Sequence, residues 1–220
     1  MTRTSAELQA YYAARAPYYD AVYLKPERRD DIAFLKQYLP SRLATRSVLE
    51  VACGTGYWTQ FIAPVVHRLV ATDATPAPME FAKLRPDTER VEYVRADAYA
   101  LPPELGEFSG AFAGLWLSHV PVGQRAQFFT SLHSRLSPGA RVILMDNSEV
   151  QCRELPITEH DKEGNTYQDR KLRNGTVHRV LKNFPSEVEL RAMVLSAATT
   201  ALYRELDNFW LFEYELSAAP

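Results

Sequence analysis

Apolar positions in this chain gather into short runs closed by glycine, proline or an acid, as strands buried on both faces do. Val48, Leu49 and Val51 form the first run. It passes into Ala52-Cys53-Gly54-Thr55-Gly56, where the glycines allow a tight turn that a ligand can touch. Residues 57–67 read as the following helix, its N-terminus facing that ligand. A second run, Arg68-Leu-Val-Ala-Thr72, ends on Asp73. Residues 2–45 read as helical, with one helix opening at Ser5 and another over 26–39, stopped by Pro40. A further helix is expected over 185–196. Residues 207–216 alternate in polarity and suit a closing strand.

Length and charge narrow the picture. The chain has 220 residues, enough for one sizeable domain or two small ones, and one is expected. Its parts are a helical cap (1–45), a core (46–150) and a polar, glycine-interrupted segment with C-terminal strands (151–220). A net charge of −2 argues against a general nucleic-acid footprint. The basic cluster Lys162, Arg170, Lys171 and Arg173 is broken by acids. Cys53 and Cys152 supply neither a disulfide framework nor metal-ligand spacing, so no metal is expected. No apolar signal core or membrane-length run is present, so a cytoplasmic location is expected.

The chemistry begins with Asp73. It lies about 20 residues past the glycine turn, where nucleotide-binding α/β folds place a ribose-binding acid. A dinucleotide fingerprint needs a third glycine where this chain has Thr59. Glu50 would also repel a pyrophosphate, whereas it would attract a sulfonium and an ammonium. The stretch from Glu50 through Ala52, Gly54 and Gly56 resembles motif I of class I S-adenosylmethionine (SAM)-dependent methyltransferases, with Ala52 for the first glycine. Further segments resemble that family in the same order. They are a third strand over 91–97, a fourth over 108–117, and a fifth after the Pro138-Gly139 turn, ending at Asp146. The resemblance implies an α/β Rossmann-like fold: a seven-stranded, mostly parallel sheet, helices on both faces, the last strand inserted antiparallel.

Roles follow from that resemblance. Backbone N–H groups near Gly54 and Gly56 serve the carboxylate of SAM, and Asp73 takes the ribose hydroxyls. Ala74 and Pro78-Met79 sandwich the adenine, Asp97 meets its amino group and the Ala98 N–H its ring nitrogen. Tyr11, Tyr12 and Tyr19 belong to a tyrosine-rich lid, with Arg15 as a carboxylate partner. Leu115 is assigned to the cofactor; Trp116, with Tyr12 and the 147–184 segment, is assigned to the acceptor. That segment is long for an α/β connection and carries Tyr167, Arg170 and Arg173, compatible with a carboxylate, phosphate or phenol. Asn174-Gly175 also signals a two-residue hairpin turn. His119, just past the fourth strand, is the candidate general base.

The implied activity is methyl transfer from SAM to an oxygen or nitrogen of a small molecule, by a monomer or homodimer with no nucleic-acid or membrane partner. Two alternatives stand beside it: a SAM-binding sensor or partner subunit without catalysis, and an NAD(P)-dependent oxidoreductase.

Overall fold

The apolar runs become five parallel strands: β1 (Ser47–Val51), β2 (Arg68–Asp73), β3 (Glu92–Arg95), β4 (Phe108–Gly114) and β5 (Leu136–Asn147). These belong to a computed structural model that describes residues 3–217, with side chains from residue 7. Residues 147–184 carry β6 (Glu159–His160), β7 (Thr166–Lys171) and β8 (Val177–Leu181), a separate antiparallel sheet. The chain returns through β9 (Ala198–Glu205) and β10 (Phe209–Leu216). The main sheet has the order β3-β2-β1-β4-β5-β10-β9, with β10 antiparallel to both neighbours. This is the seven-stranded Rossmann-like architecture that the resemblance implied. Because β2 and β4 flank β1 from opposite sides, their crossovers diverge and open a crevice at the carboxyl edge.

Helices cover both faces. On one side α2 (Arg29–Leu43) and α3 (Thr59–Ile62) bury Leu35, Leu39, Leu43 and Ile62 against the sheet. On the other, α5 (Arg125–His133) and α6 (Glu187–Val194) bury Phe128, Leu132, Leu190 and Val194. Each such aliphatic or aromatic side chain contributes roughly 1.5–3 kcal/mol. A capping box between Ser186 and Glu189 starts α6. At the N-terminus α1 (Arg3–Arg15) lies on the small sheet, with Tyr11 packed against Leu172 and Val180. α4 (Pro76–Ala82) follows β2.

Several elements differ from expectation for local reasons. The helix expected over 57–67 is the four residues of α3 and a 3₁₀ turn, Ala63–Val65, because Pro64 cannot donate within a helix. Pro40 does not stop α2, which continues to Leu43; full burial of Leu39 and Leu43 outweighs the lost hydrogen bond. The fourth strand stops at Gly114, and Leu117–His119 is a 3₁₀ turn. Pro138-Gly139 forms a bulge inside β5, where pairing skips from Leu136 to Arg141. The hairpin loop at Asn174-Gly175 has three residues, 173–175. Only Gly175 has a positive φ, of 89°, and the Leu172 carbonyl accepts from its N–H.

Candidate active site

The turn after β1 is built on left-handed residues: Ala52, Gly54 and Gly56 have φ of 57°, 57° and 71°. Its two glycines serve different purposes. A Cβ on Gly54 would meet nothing within 4 Å, so its open side can admit a ligand. A Cβ on Gly56 would lie 2.7 Å from that of Ala82, so this glycine lets the turn pack against α4. Ala52 holds without glycine a conformation that costs roughly 1–2 kcal/mol. Leu115, at the end of β4, is also left-handed, with φ 57°. Both strained residues border the same cleft, a place where strain commonly sits.

That cleft encloses about 1100 Å³, open solvent included, along the carboxyl ends of β1, β2 and β4. Asp73 stands on its wall, one carboxylate oxygen accepting the Gly54 N–H at 3.0 Å and the other the Thr75 N–H at 2.8 Å. Each oxygen keeps a lone pair for a diol. Glu50 is buried on the same wall, and its Oε2 has no hydrogen-bond partner. Burial, reinforced by Asp73, pushes its carboxyl up to about 8. A buried carboxyl with an unpartnered oxygen on a cleft wall can seat a cation. Asp97 and the Ala98 backbone stand at the far end, with the Asp97 carboxylate bonded to the Tyr99 N–H at 3.0 Å. These donors and acceptors fit the ribose, ammonium and adenine of SAM.

The cleft wall also includes Ala52, Ala74, Leu115, Trp116, Tyr12, Tyr19 and His119. Met79 faces elsewhere: it packs on Cys53 and Ala71, and Pro78 takes the cleft side of α4. Sequence reasoning missed Asp20, which accepts the Thr55 hydroxyl at 2.8 Å and pairs with Arg85, tying the N-terminal segment to the glycine turn. It also missed Tyr23, stacked on Tyr57 with ring centroids 3.8 Å apart.

A second cavity adjoins the first, sharing Tyr12, Tyr19, Leu115 and His119. Tyr11, Arg15 and Arg170 lie here rather than on the first cleft. Arg15 donates to the Tyr11 hydroxyl at 2.8 Å and sits over the Tyr19 ring. Tyr167 and Arg173 line neither space. The Tyr167 hydroxyl donates to Asp161, and the Arg173 guanidinium lies over the Tyr18 ring.

His119 is held from both ring nitrogens. Nδ1 is 2.6 Å from the Leu181 carbonyl, which can only accept, so Nδ1 carries the proton. Nε2 therefore accepts from the Tyr12 hydroxyl at 2.7 Å, and that hydroxyl accepts from Arg170 at 3.2 Å. Burial, with Lys182 and Arg170 nearby, pulls His119 down to about 3. Below it Lys182 donates to Asp146 at 2.6 Å and to Ser118 at 2.7 Å, all three buried.

Comparison with known proteins agrees with this geometry. The family described as "Methyltransferase domain" matches residues 48–139. Demethylmenaquinone methyltransferase of Lactococcus lactis is 29% identical over 117 residues, covering 50% of this chain and 44% of that protein. The 18S rRNA (guanine-N(7))-methyltransferase of Mus musculus is 33% identical over 135 residues, covering 56% and 46%. The match thus spans less than half the length of either relative. Among solved structures, the DhpI–SAH complex superposes with a TM-score of 0.81 at 24% identity, covering 98% of both chains. The DhpI–SAM–HEP complex gives 0.77 at 25% identity, covering 97% of this chain and 99% of that one. A methyltransferase domain over residues 48–139, a seven-stranded Rossmann-like sheet and a cleft suited to SAM together support a class I SAM-dependent methyltransferase.

Proposed function

We propose that this protein transfers a methyl group from SAM to an oxygen or nitrogen of a small-molecule acceptor, in the cytoplasm and as a monomer or homodimer. The observation that carries the reading is the junction of two cavities at Tyr12, Tyr19, Leu115 and His119. Bound SAM supplies an electrophilic methyl on a sulfonium sulfur. The chain's contribution is positioning: Asp73 holds the ribose, Asp97 and Ala98 the adenine, and Glu50 the ammonium. Tyr12 and Tyr19 roof the junction and exclude water from it.

His119 has a narrower part than a free base. With its pKa near 3 it stays neutral at physiological pH and holds the Tyr12 hydroxyl toward the junction. A general base that stores the acceptor proton needs a pKa nearer the working pH.

Release of S-adenosylhomocysteine (SAH) from SAM over a panel of oxygen and nitrogen acceptors tests the reading. Turnover of at least one small acceptor is the expected result. Tight SAM binding without turnover on any member would favour a sensor subunit, and turnover on RNA alone would move the acceptor to nucleic acid.

A further inference from the structure

The second cavity collects cations without matching acids. Arg28 and Arg170 line it, each 4% exposed, and neither forms an ion pair among the described residues. The Arg28 Nη1 is buried with no hydrogen-bond partner. Arg170 spends three donors on Gln168 and Tyr12, two neutral groups, and keeps two of its five. Lys182 gives two protons to Asp146 and Ser118 and keeps a third. The cavity's own carboxylate, Glu154, is paired with Lys25. Two guanidiniums held out of water without an ion-pair contact are costly, Arg28 feeling Glu154 and Glu27 only at longer range, and a bound anion relieves that cost.

We propose that this cavity is an oxyanion site and that the acceptor enters as a phosphate, phosphonate or carboxylate gripped by Arg28, Arg170 and Lys182. Two planar guanidiniums match the paired oxygens of such a group. The inference rests on the reading that the adjoining cleft holds SAM. It deepens that reading, because an ionised acceptor oxygen brings no proton for a base to remove. The signal was half visible in the sequence: Arg170 stood in the 147–184 segment, but Arg28, in the run Glu27-Arg28-Arg29-Asp30, drew no functional reading.

The test is calorimetric titration of the whole protein, alone and saturated with SAH, with inorganic phosphate, methylphosphonate and acetate. Saturable binding of at least one anion to the SAH-loaded protein is expected. Arg170→Gln and Arg28→Gln should each weaken it about tenfold or more, and Arg28→Lys less. SAH affinity and circular dichroism, unchanged in the variants, exclude misfolding. Anion affinity unaltered by both glutamine variants would overturn the proposal. So would binding of none of the three anions, or phosphate competing directly with SAH, which would assign the arginines to the amino-acid carboxylate of SAH. Failure of SAH itself to bind speaks against the SAM cleft, and the titrations without SAH still decide the anion site.

Discussion

Glu50 couples the nucleoside cleft to protons. Its carboxyl is held near 8 by burial, so at pH 7 it is mostly protonated in the free protein. An ammonium seated beside it lowers that pKa, so ligand binding ionises Glu50 and releases up to one proton. SAH binding at pH 7 should therefore show an enthalpy that differs between Bis-Tris and Tris buffers, and Glu50→Gln should abolish the difference. Equal enthalpies in the wild-type protein would place the ammonium elsewhere. The two glycines of the turn separate packing from binding in the same way. Gly56→Ala forces a Cβ to within 2.7 Å of Ala82 at a positive φ, and about 3 kcal/mol of stability should be lost in a urea melt. Gly54→Ala meets open space and should cost about 1–2 kcal/mol while weakening SAH binding. Equal destabilisation by the two variants would contradict this division. Of these residues the acids and the turn were legible from spacing alone. Which glycine faces the ligand depends on where α4 passes, and no local pattern encodes that.

At the scale of elements, α1 and the 147–184 insertion form one wall of the second cavity. Tyr12 reaches both His119 and Arg170, and Tyr11 packs on β7–β8 residues. Tyr12→Phe removes a donor to His119 and an acceptor for Arg170. It should lower kcat/KM for the acceptor about tenfold or more and leave SAH affinity within a few-fold. Weakened SAH binding with unchanged acceptor kinetics would instead make Tyr12 a cofactor residue. If His119 positions Tyr12 rather than storing a proton, kcat should show no inflection from it between pH 6 and 8. Sequence misjudged elements in both directions: in α3 a local stop at Pro64 prevailed, and in α2 long-range burial overrode one. There Leu39 and Leu43 carry the helix past Pro40. β9 had no forecast, since its exposed Thr199, Thr200 and Glu205 leave an edge strand with little apolar pattern.

At the scale of the molecule, strand order does most of the positioning. The switch at β1 brings Glu50, Asp73 and His119 to one sheet edge although 69 residues separate the first from the last in sequence (119 − 50). The family resemblance of the motifs implied that sheet, whereas the small sheet's contribution to the cavity appears only once the chain has folded. Titration of buried groups also sets the stability of the whole. His119 and His133 are depressed to about 3 and about 4, so the unfolded chain takes protons below pH 6.5 that the folded one refuses. Their stabilisation is present above 6.5 and falls away as the solution is acidified toward 4. Glu50, raised to about 8, works oppositely: its stabilisation is present below the ordinary carboxylate value and is lost as pH rises through 8. Tm should therefore peak near pH 6.5, and Glu50→Gln should flatten the alkaline side and steepen the rise between 4.5 and 6.5. A Tm that rises steadily to pH 8.5 would refute the Glu50 assignment, and one that is flat between pH 4 and 6.5 in Glu50→Gln would refute the histidine pair.

The most direct test of the SAM cleft is calorimetric titration of SAH, and in parallel NADH, into the wild-type protein and Asp73→Ala. Micromolar SAH binding, weakened at least about a hundredfold by Asp73→Ala and absent for NADH, is the expected result. NADH binding without SAH binding, or SAH binding indifferent to Asp73→Ala, would contradict it.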